Sequence, residues 1–326
     1  MDKKSLITYV FHEYNYNVSF FMKNGIVSDP NVDYCIIENT DVEPPSVQEQ
    51  MFGDSKVYWV KRHNVSQCFG GYSESIRLLN EPYKYRFFIN STMRGPMLPP
   101  YSLKTTHWTE YFTNKFSDSV AMVGASISMN PKIHIQSMMM VVDQRALKIL
   151  REKNVFLKDD VSVEKSVLIS QHEIRGTQVV LEAGLNIDCM ITTFQGRDWR
   201  DQKRTHEFDA HIKHDPWYIG AYYGFTLHPY ETIFFKTNRK DILEKTPLDL
   251  LSYYINKLPS TTPTFEPPLI HTEHIQKTLR NVPIEKPILQ KPKKTINKTL
   301  LLSILTGAFG LAFFIMLAVL AWKLRV

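Results

Sequence analysis

Short apolar runs alternate with amphipathic stretches along the first half of the chain, a pattern typical of strands that alternate with helices. The predicted strands cover residues 6–11, 33–37, 57–60 and 85–89, and the predicted helices cover residues 17–24 and 73–79. This alternation predicts a parallel sheet in an α/β domain. Polar residues follow each strand. Because the carboxyl ends of parallel strands face one crevice, we expect a nucleotide to bind there.

The pattern changes after residue 257. Prolines recur between residues 258 and 298 without sustained periodicity, which predicts an extended linker rich in Pro and Lys. Residues 299–322 then run for 24 positions without a charged side chain. This exceeds the roughly 20 residues that a helix needs to cross a bilayer. We therefore expect a folded domain over residues 1–257, a linker over 258–298 and a transmembrane helix over 299–322.

Charge and cysteine content refine this organisation. The net charge is +6, and five lysines lie between residues 286 and 298, whereas only Lys323 and Arg325 follow the predicted transmembrane helix. The positive-inside rule then places the large domain in the cytosol, with the lysines near anionic lipid headgroups. Three widely spaced cysteines suit a reducing compartment and predict neither a disulfide framework nor a zinc site. No motif predicts binding to nucleic acid.

The stretch from Phe87 to Tyr101 is the most distinctive local pattern in the chain. An apolar strand breaks into Asn90-Ser91-Thr92 and then into Arg94-Gly95-Pro96. Small polar residues at the carboxyl end of a buried strand predict a ligand site.

Five blocks containing such local patterns occur in order across residues 5–239. They are Arg62 to Tyr72, Phe87 to Tyr101, Val123 to Arg145 with its His134-Ile135-Gln136-Ser137-Met138, His172 to Ile187, and Leu227 to Lys236. Their order and spacing resemble the "LNSSVRGPFLP", "H-(V/I)-Q-S-M" and "HP-(Y/F)-E-x-I-F-x-K" pattern of a glycosyltransferase family related to rhamnan-synthesis proteins.

The resemblance implies a single-domain, GT-A-like and Rossmann-related mixed sheet that binds a nucleotide-sugar donor and a glycan, lipid or protein acceptor. In such folds a DxD-type motif after a strand holds Mn²⁺ or Mg²⁺ together with the donor diphosphate. This chain has Asn90-Ser91-Thr92 there, and neutral oxygens bind hard divalent cations weakly. No metal ligand is therefore assigned, and dependence on Mn²⁺ or Mg²⁺ stays open. Arg94 is expected to neutralise the diphosphate instead, the alternative being a structural arginine.

The resemblance also places the donor contacts. They are Asn64, Gly70, Gly71, Asn90, Ser91 and Arg94. The two glycines lack a Cβ and would let the backbone approach a ligand, although a plain turn is the alternative. An Asx-type turn is the alternative for Asn64. Cys68 stands where the family more often has Asp, and a thiol cannot replace that carboxylate as a ligand.

An inverting transferase needs a base to remove the proton of the acceptor hydroxyl, and carboxylates are the usual choice. Glu173 is the first candidate. It is predicted to begin a helix over residues 173–183 that Gly184 ends, so stabilising that helix N-terminus is the alternative role. Asp143 is the second candidate, and its alternative role is to cap a helix over residues 144–151.

Two histidines and a glutamine complete the predicted site. His134 and Gln136 share a side of an extended segment and are predicted to hold sugar hydroxyls, the alternative being a structural pair. His228, before Pro229, is predicted either to close the site over the phosphate or to fix a β-turn.

These features together predict a membrane-anchored, cytosol-facing glycosyltransferase. One alternative is a catalytically silent relative that binds a sugar or nucleotide, which the missing carboxylates at residues 68 and 90–92 favour. The other is a membrane adaptor whose domain binds proteins.

Overall fold

A computed structural model describes residues 4–40, 46–102, 106–159, 161–201, 215–243, 246–257 and 264–267. The strands are β1 (Ser5–Phe11), β2 (Val32–Asn39), β3 (Ser46–Phe52), β4 (Ser55–Arg62), β5 (Tyr85–Asn90), β6 (Met93–Arg94), β7 (Val120–Gly124), β8 (Ile127–Ser128), β9 (His134–Ile135), β10 (Met139–Asp143), β11 (Asn186–Cys189) and β12 (Phe235–Lys236). The helices are α1 (Tyr16–Asn24), α2 (Gln67–Leu78), α3 (Glu110–Thr113), α4 (Gln144–Glu152), α5 (Lys165–Val167), α6 (Arg175–Glu182), α7 (Pro229–Thr232), α8 (Lys240–Leu243) and α9 (Leu248–Lys257). A π-helical segment, Leu168–Ile174, joins α5 to α6.

Eight strands form one sheet in the order β11-β7-β10-β5-β1-β2-β4-β3. Strands β5, β1, β2 and β4 are mutually parallel, whereas β10 runs antiparallel to both of its neighbours and β3 runs antiparallel to β4. The α/β prediction is confirmed, and the sheet is a large mixed one that is consistent with a Rossmann-like fold.

Burial explains why the central strands read as continuous apolar runs. All seven residues of β1 are buried, because a central strand covered on both faces excludes water from both sides. The edge strand β3 alternates half-buried and exposed residues instead. Aromatic side chains fill much of the core; Tyr9 stacks on Phe21 with the ring centroids 4.1 Å apart.

Two predicted helix starts are wrong. Helix α2 begins at Gln67, six residues before the predicted start at Ser73, and it includes both glycines of the predicted donor loop. Helical structure around Glu173 begins at Lys165 and continues through the π-helical segment into α6. Glu173 therefore lies inside a helical stretch, so the alternative role at a helix N-terminus does not hold. The predicted end at Gly184 agrees with its left-handed φ of +82°.

The chain still contacts the domain beyond residue 257. Within the predicted linker the structure describes residues 264–267, where Phe265 is 2% exposed and packs edge to face on Phe52. The rest of the predicted linker and the predicted transmembrane segment, residues 299–322, lie outside the described residues. Within the described ranges, no helix has both the length and the apolar character needed to cross a bilayer.

Candidate functional site

A polar cleft of about 550 Å³ opens at the carboxyl edge of the sheet. Strand β1 has β2 on one side and β5 on the other. The chain therefore builds the sheet outward from β1 in one direction and then returns to continue it in the other direction. Such a switch point is where open α/β sheets bind their ligands. The polar side chains that line the cleft include Cys68, Asn90, Thr92, His134, Gln136, Ser137, Lys165, Glu173, Asp215, Lys236, Asn238 and Arg239.

Glu173 is held in the cleft by a neighbouring serine. The backbone N–H of Ser137 donates to Glu173 Oε2 at 2.8 Å, and the Ser137 hydroxyl donates to the same oxygen. Glu173 Oε1 lies 3.8 Å from Nε2 of His134. The carboxylate projects from the π-helical segment, and such interruptions of α-helices are frequent at functional sites. One carboxylate oxygen is thus fixed while the other points toward His134.

His134 and Gln136 both line the cleft, as their predicted shared side requires. The carbonyl of Lys132 accepts a hydrogen bond from His134 Nδ1 at 2.8 Å, which directs Nε2 toward Glu173. The amide of Gln136 accepts from the Ser126 hydroxyl at 2.8 Å and donates to Asp215 Oδ1 at 3.4 Å. These bonds fix both side chains, and their predicted role toward sugar hydroxyls remains a prediction.

Cationic side chains lie near Glu173 and Asp215, the carboxylates among the described lining residues of the cleft. Arg239 Nη2 lies 3.4 Å from Asp215 Oδ2, and its guanidinium stacks 4.2 Å from the centroid of the Tyr218 ring. Burial lowers the pKa of Lys236, an effect that the negative charges of Asp215 and Glu173 oppose. Lys165 adds a third cation at the rim. The cleft therefore combines positive charge suited to a diphosphate with a carboxylate suited to proton transfer.

Asn90 lines the cleft where β5 ends. Its Oδ1 accepts hydrogen bonds from the backbone N–H of Thr92 at 3.1 Å and from the Thr92 hydroxyl at 2.6 Å, an Asx-type turn. Burial raises the pKa of the Cys68 thiol to about 11. A neutral thiol is a poor metal ligand.

Among the described residues no group of three or more His, Cys, Asp or Glu side chains could hold a metal ion. Among the described lining residues, Glu173 is engaged by Ser137 and Asp215 by Arg239.

Arg94 lies outside the cleft. Its Nη1 donates to Asp249 Oδ1 of α9 at 2.5 Å, its Nε donates to Asn17 Oδ1 at 2.9 Å, and its guanidinium lies 4.6 Å from the centroid of the Tyr16 ring. These contacts hold α9 against the domain. They give Arg94 the structural role that was the alternative prediction, rather than the role of a diphosphate ligand.

Except for Asn90, the other predicted donor residues also lie outside the lining of the cleft. A Cβ at Gly70 would lie 2.0 Å from the carbonyl oxygen of Val65, and a Cβ at Gly71 would lie 2.8 Å from two methyl carbons of Val10. The glycines therefore let α2 approach the protein itself rather than a ligand. Ser91 is buried, and Asn64 is exposed in the loop after β4.

Asp143 and His228 act as helix caps. Asp143 pairs in register with Tyr85, at the edge of the sheet opposite the cleft, and its Oδ1 accepts from the backbone N–H of Ala146 at 3.0 Å. This is the capping alternative. His228 Nδ1 accepts from the backbone N–H of Tyr230 at 3.2 Å and caps α7, so it fixes the local turn and does not line the cleft.

The cationic side of the cleft was not predicted. Lys236 ends the last matched block and is the first ionisable residue after the apolar run from Ile233 to Phe235, which is the signal that would have singled it out. Arg239, Asp215 and Lys165 carry no comparable local signal, since only the fold brings them together.

Comparison with known proteins adds nothing to this picture. No family model matches the chain, and no curated protein gives a significant match.

Proposed function

We propose that this protein is a membrane-anchored glycosyltransferase whose cleft binds a nucleotide-diphosphate sugar and transfers the sugar to a glycan, lipid or protein acceptor. The observation that carries the proposal is the meeting of Glu173 and His134 with Lys236 and Arg239 in one cleft at the switch point of the sheet. The mixed sheet supports the GT-A-like interpretation of the sequence. The predicted transmembrane segment over residues 299–322 would hold the cleft at a membrane.

The donor diphosphate would lie against Lys236 and Arg239. An ammonium and a guanidinium provide charge-assisted hydrogen bonds to phosphate oxygens, and these strengthen as negative charge develops on the leaving diphosphate. Gln136 and Asn90, which line the same cleft, offer amide groups to sugar hydroxyls.

Glu173 would act as the general base of an inverting displacement. Oε1 would accept the proton of the acceptor hydroxyl while the acceptor oxygen bonds to the anomeric carbon. The bond from that carbon to the diphosphate oxygen breaks, and the diphosphate leaves with the electron pair. Ser137 would hold the carboxylate by Oε2 throughout, and His134 would orient Oε1.

A silent nucleotide-sugar binder is the second candidate. It is favoured by the neutral Asn90-Ser91-Thr92 turn, which offers an amide and hydroxyls in place of carboxylates. Both candidates require donor binding, but only the transferase requires turnover.

The test uses the full chain in non-ionic micelles with a panel of nucleotide sugars, with and without Mn²⁺. Calorimetry measures donor binding, and release of the nucleoside diphosphate measures turnover. We expect binding and turnover with at least one donor. Binding without turnover would support the silent binder, and the absence of binding to every donor would contradict both candidates and leave the adaptor.

A further inference from the structure

A second pocket lies between α2, α4 and residues 156–158. It has a volume of about 480 Å³ and shares no lining residue with the polar cleft. Its apolar floor is formed by Ile76, Phe156 and Leu157. Three cationic side chains line it together with this floor: Arg77, Arg151 and Lys158. An apolar floor beside several cations is suited to an organic anion.

Neighbouring protein groups hold both arginines of the pocket in place. Arg151 Nη1 donates to Asn80 Oδ1 at 2.9 Å, and Arg77 Nη1 donates to the carbonyl oxygen of Lys158 at 3.3 Å. Arg77 is also paired with the carboxylate of Glu74. Fixed guanidinium groups lose little freedom when they bind a phosphate, which favours recognition of that anion.

A buried arginine adds positive charge beside the pocket. Arg86 is 2% exposed and donates through Nη2 to the carbonyl oxygens of Leu79 and Glu81, which flank the lining residue Asn80. Its Nε and Nη1 have no hydrogen-bond partner among the described residues. A buried cation with unpartnered N–H groups is costly, and a nearby anion would offset that cost.

We propose that this pocket binds a phosphate ester, with the phosphate between Arg77, Arg151 and Lys158 and the organic group on Ile76, Phe156 and Leu157. A volume of about 480 Å³ exceeds what a bare phosphate fills, so an ester with an apolar group fits better than inorganic phosphate. A soluble metabolite and a lipid headgroup share this chemistry. The proposal does not depend on the function of the cleft.

The test compares phenyl phosphate, a soluble ester with an apolar group, with dioctanoyl phosphatidic acid, each titrated into the full chain in non-ionic micelles. We expect Arg77→Gln/Arg151→Gln/Lys158→Gln to weaken binding tenfold or more. The matched control Lys84→Gln/Lys148→Gln/Lys153→Gln removes three exposed charges elsewhere and is expected to change affinity less than twofold. Preference for the lipid would identify a headgroup as the source, and preference for phenyl phosphate would identify a soluble metabolite.

Two further variants test the proposal even if the triple variant fails to fold. Lys158→Glu changes a single exposed side chain, so folding is preserved, and alone it is expected to weaken binding tenfold relative to Lys148→Glu. Lys236→Met removes a cation of the cleft and is expected to leave this binding unchanged. The absence of binding to the unmodified chain, equal binding by Lys158→Glu, or loss of binding with Lys236→Met would overturn the proposal.

Discussion

Replacing Glu173 by Gln tests the proposed base most sharply. The amide keeps the shape of the side chain and can still accept from the Ser137 N–H, but it cannot take up a proton at Oε1. General-base catalysis contributes roughly 10²- to 10⁴-fold. Because each tenfold corresponds to about 1.4 kcal/mol, we expect the barrier to rise by about 3–5 kcal/mol.

The same change has a smaller effect on stability. Glu173 is 19% exposed and accepts two hydrogen bonds from Ser137. A hydrogen bond to a charged group contributes about 1 kcal/mol more than one to a neutral group, so we expect a loss of about 1–2 kcal/mol in the free energy of unfolding. Donor affinity should change little, since the diphosphate contacts lie on the cationic side of the cleft.

The assay measures release of nucleoside diphosphate under saturating donor, with calorimetric donor binding in parallel. Glu182→Gln is the matched control, because it removes an exposed carboxylate from the same helical stretch outside the cleft. We expect Glu173→Gln to lose turnover while it keeps binding, and Glu182→Gln to keep both. Turnover within threefold of the unmodified chain in Glu173→Gln would refute the role of Glu173 as base.

Three other predictions follow from single side chains. Burial lowers the pKa of Lys236, so donor affinity should fall as the pH rises through that lowered pKa, at a lower pH than for an exposed lysine. Calorimetry across pH should show this fall in the unmodified chain and not in Lys236→Arg. An identical pH profile in both chains would contradict a role for Lys236 in donor binding. Burial lowers the pKa of His107 to about 4. As the pH falls, the unfolded chain therefore takes up a proton at this histidine before the folded chain does, and the free energy of unfolding falls by about 3 kcal/mol from pH 6.5 to pH 4. Denaturant titrations should show a smaller loss in His107→Gln, and an unchanged loss would contradict the prediction. Phe265→Ala should lower the free energy of unfolding by about 3 kcal/mol because its ring is buried against Phe52, whereas a loss below 1 kcal/mol would show that this contact contributes little.

The local sequence pattern was sufficient to predict the central strands of the sheet. Strands β1, β2, β4 and β5 are buried on both faces, so each reads as an apolar run that ends in polar residues. The edge strand β3 carries the mixed sequence Ser46 to Phe52, because only one of its faces is covered. Its residues give neither a continuous apolar run nor a regular alternation, which is why it was not predicted.

The candidate site was predicted only in part, because some of its contacts join distant parts of the chain. Asn90, His134, Gln136 and Glu173 were identified because each stands in a distinctive local block. The partners of Arg94 and the carboxylates near Lys236 come from distant parts of the chain, and sequence spacing does not reveal such contacts. The predicted diphosphate contact was therefore placed at Arg94, whereas the cations of the cleft lie elsewhere.

The central claim is that one cleft holds the donor diphosphate beside a catalytic carboxylate. A crystal structure of the protein with a nucleoside diphosphate bound tests it most directly. We expect the phosphates to contact Lys236 and Arg239 within about 3 Å, beside Glu173, while Arg94 keeps its contact with Asp249. Phosphates bound at Arg94, or away from the cleft altogether, would contradict the claim.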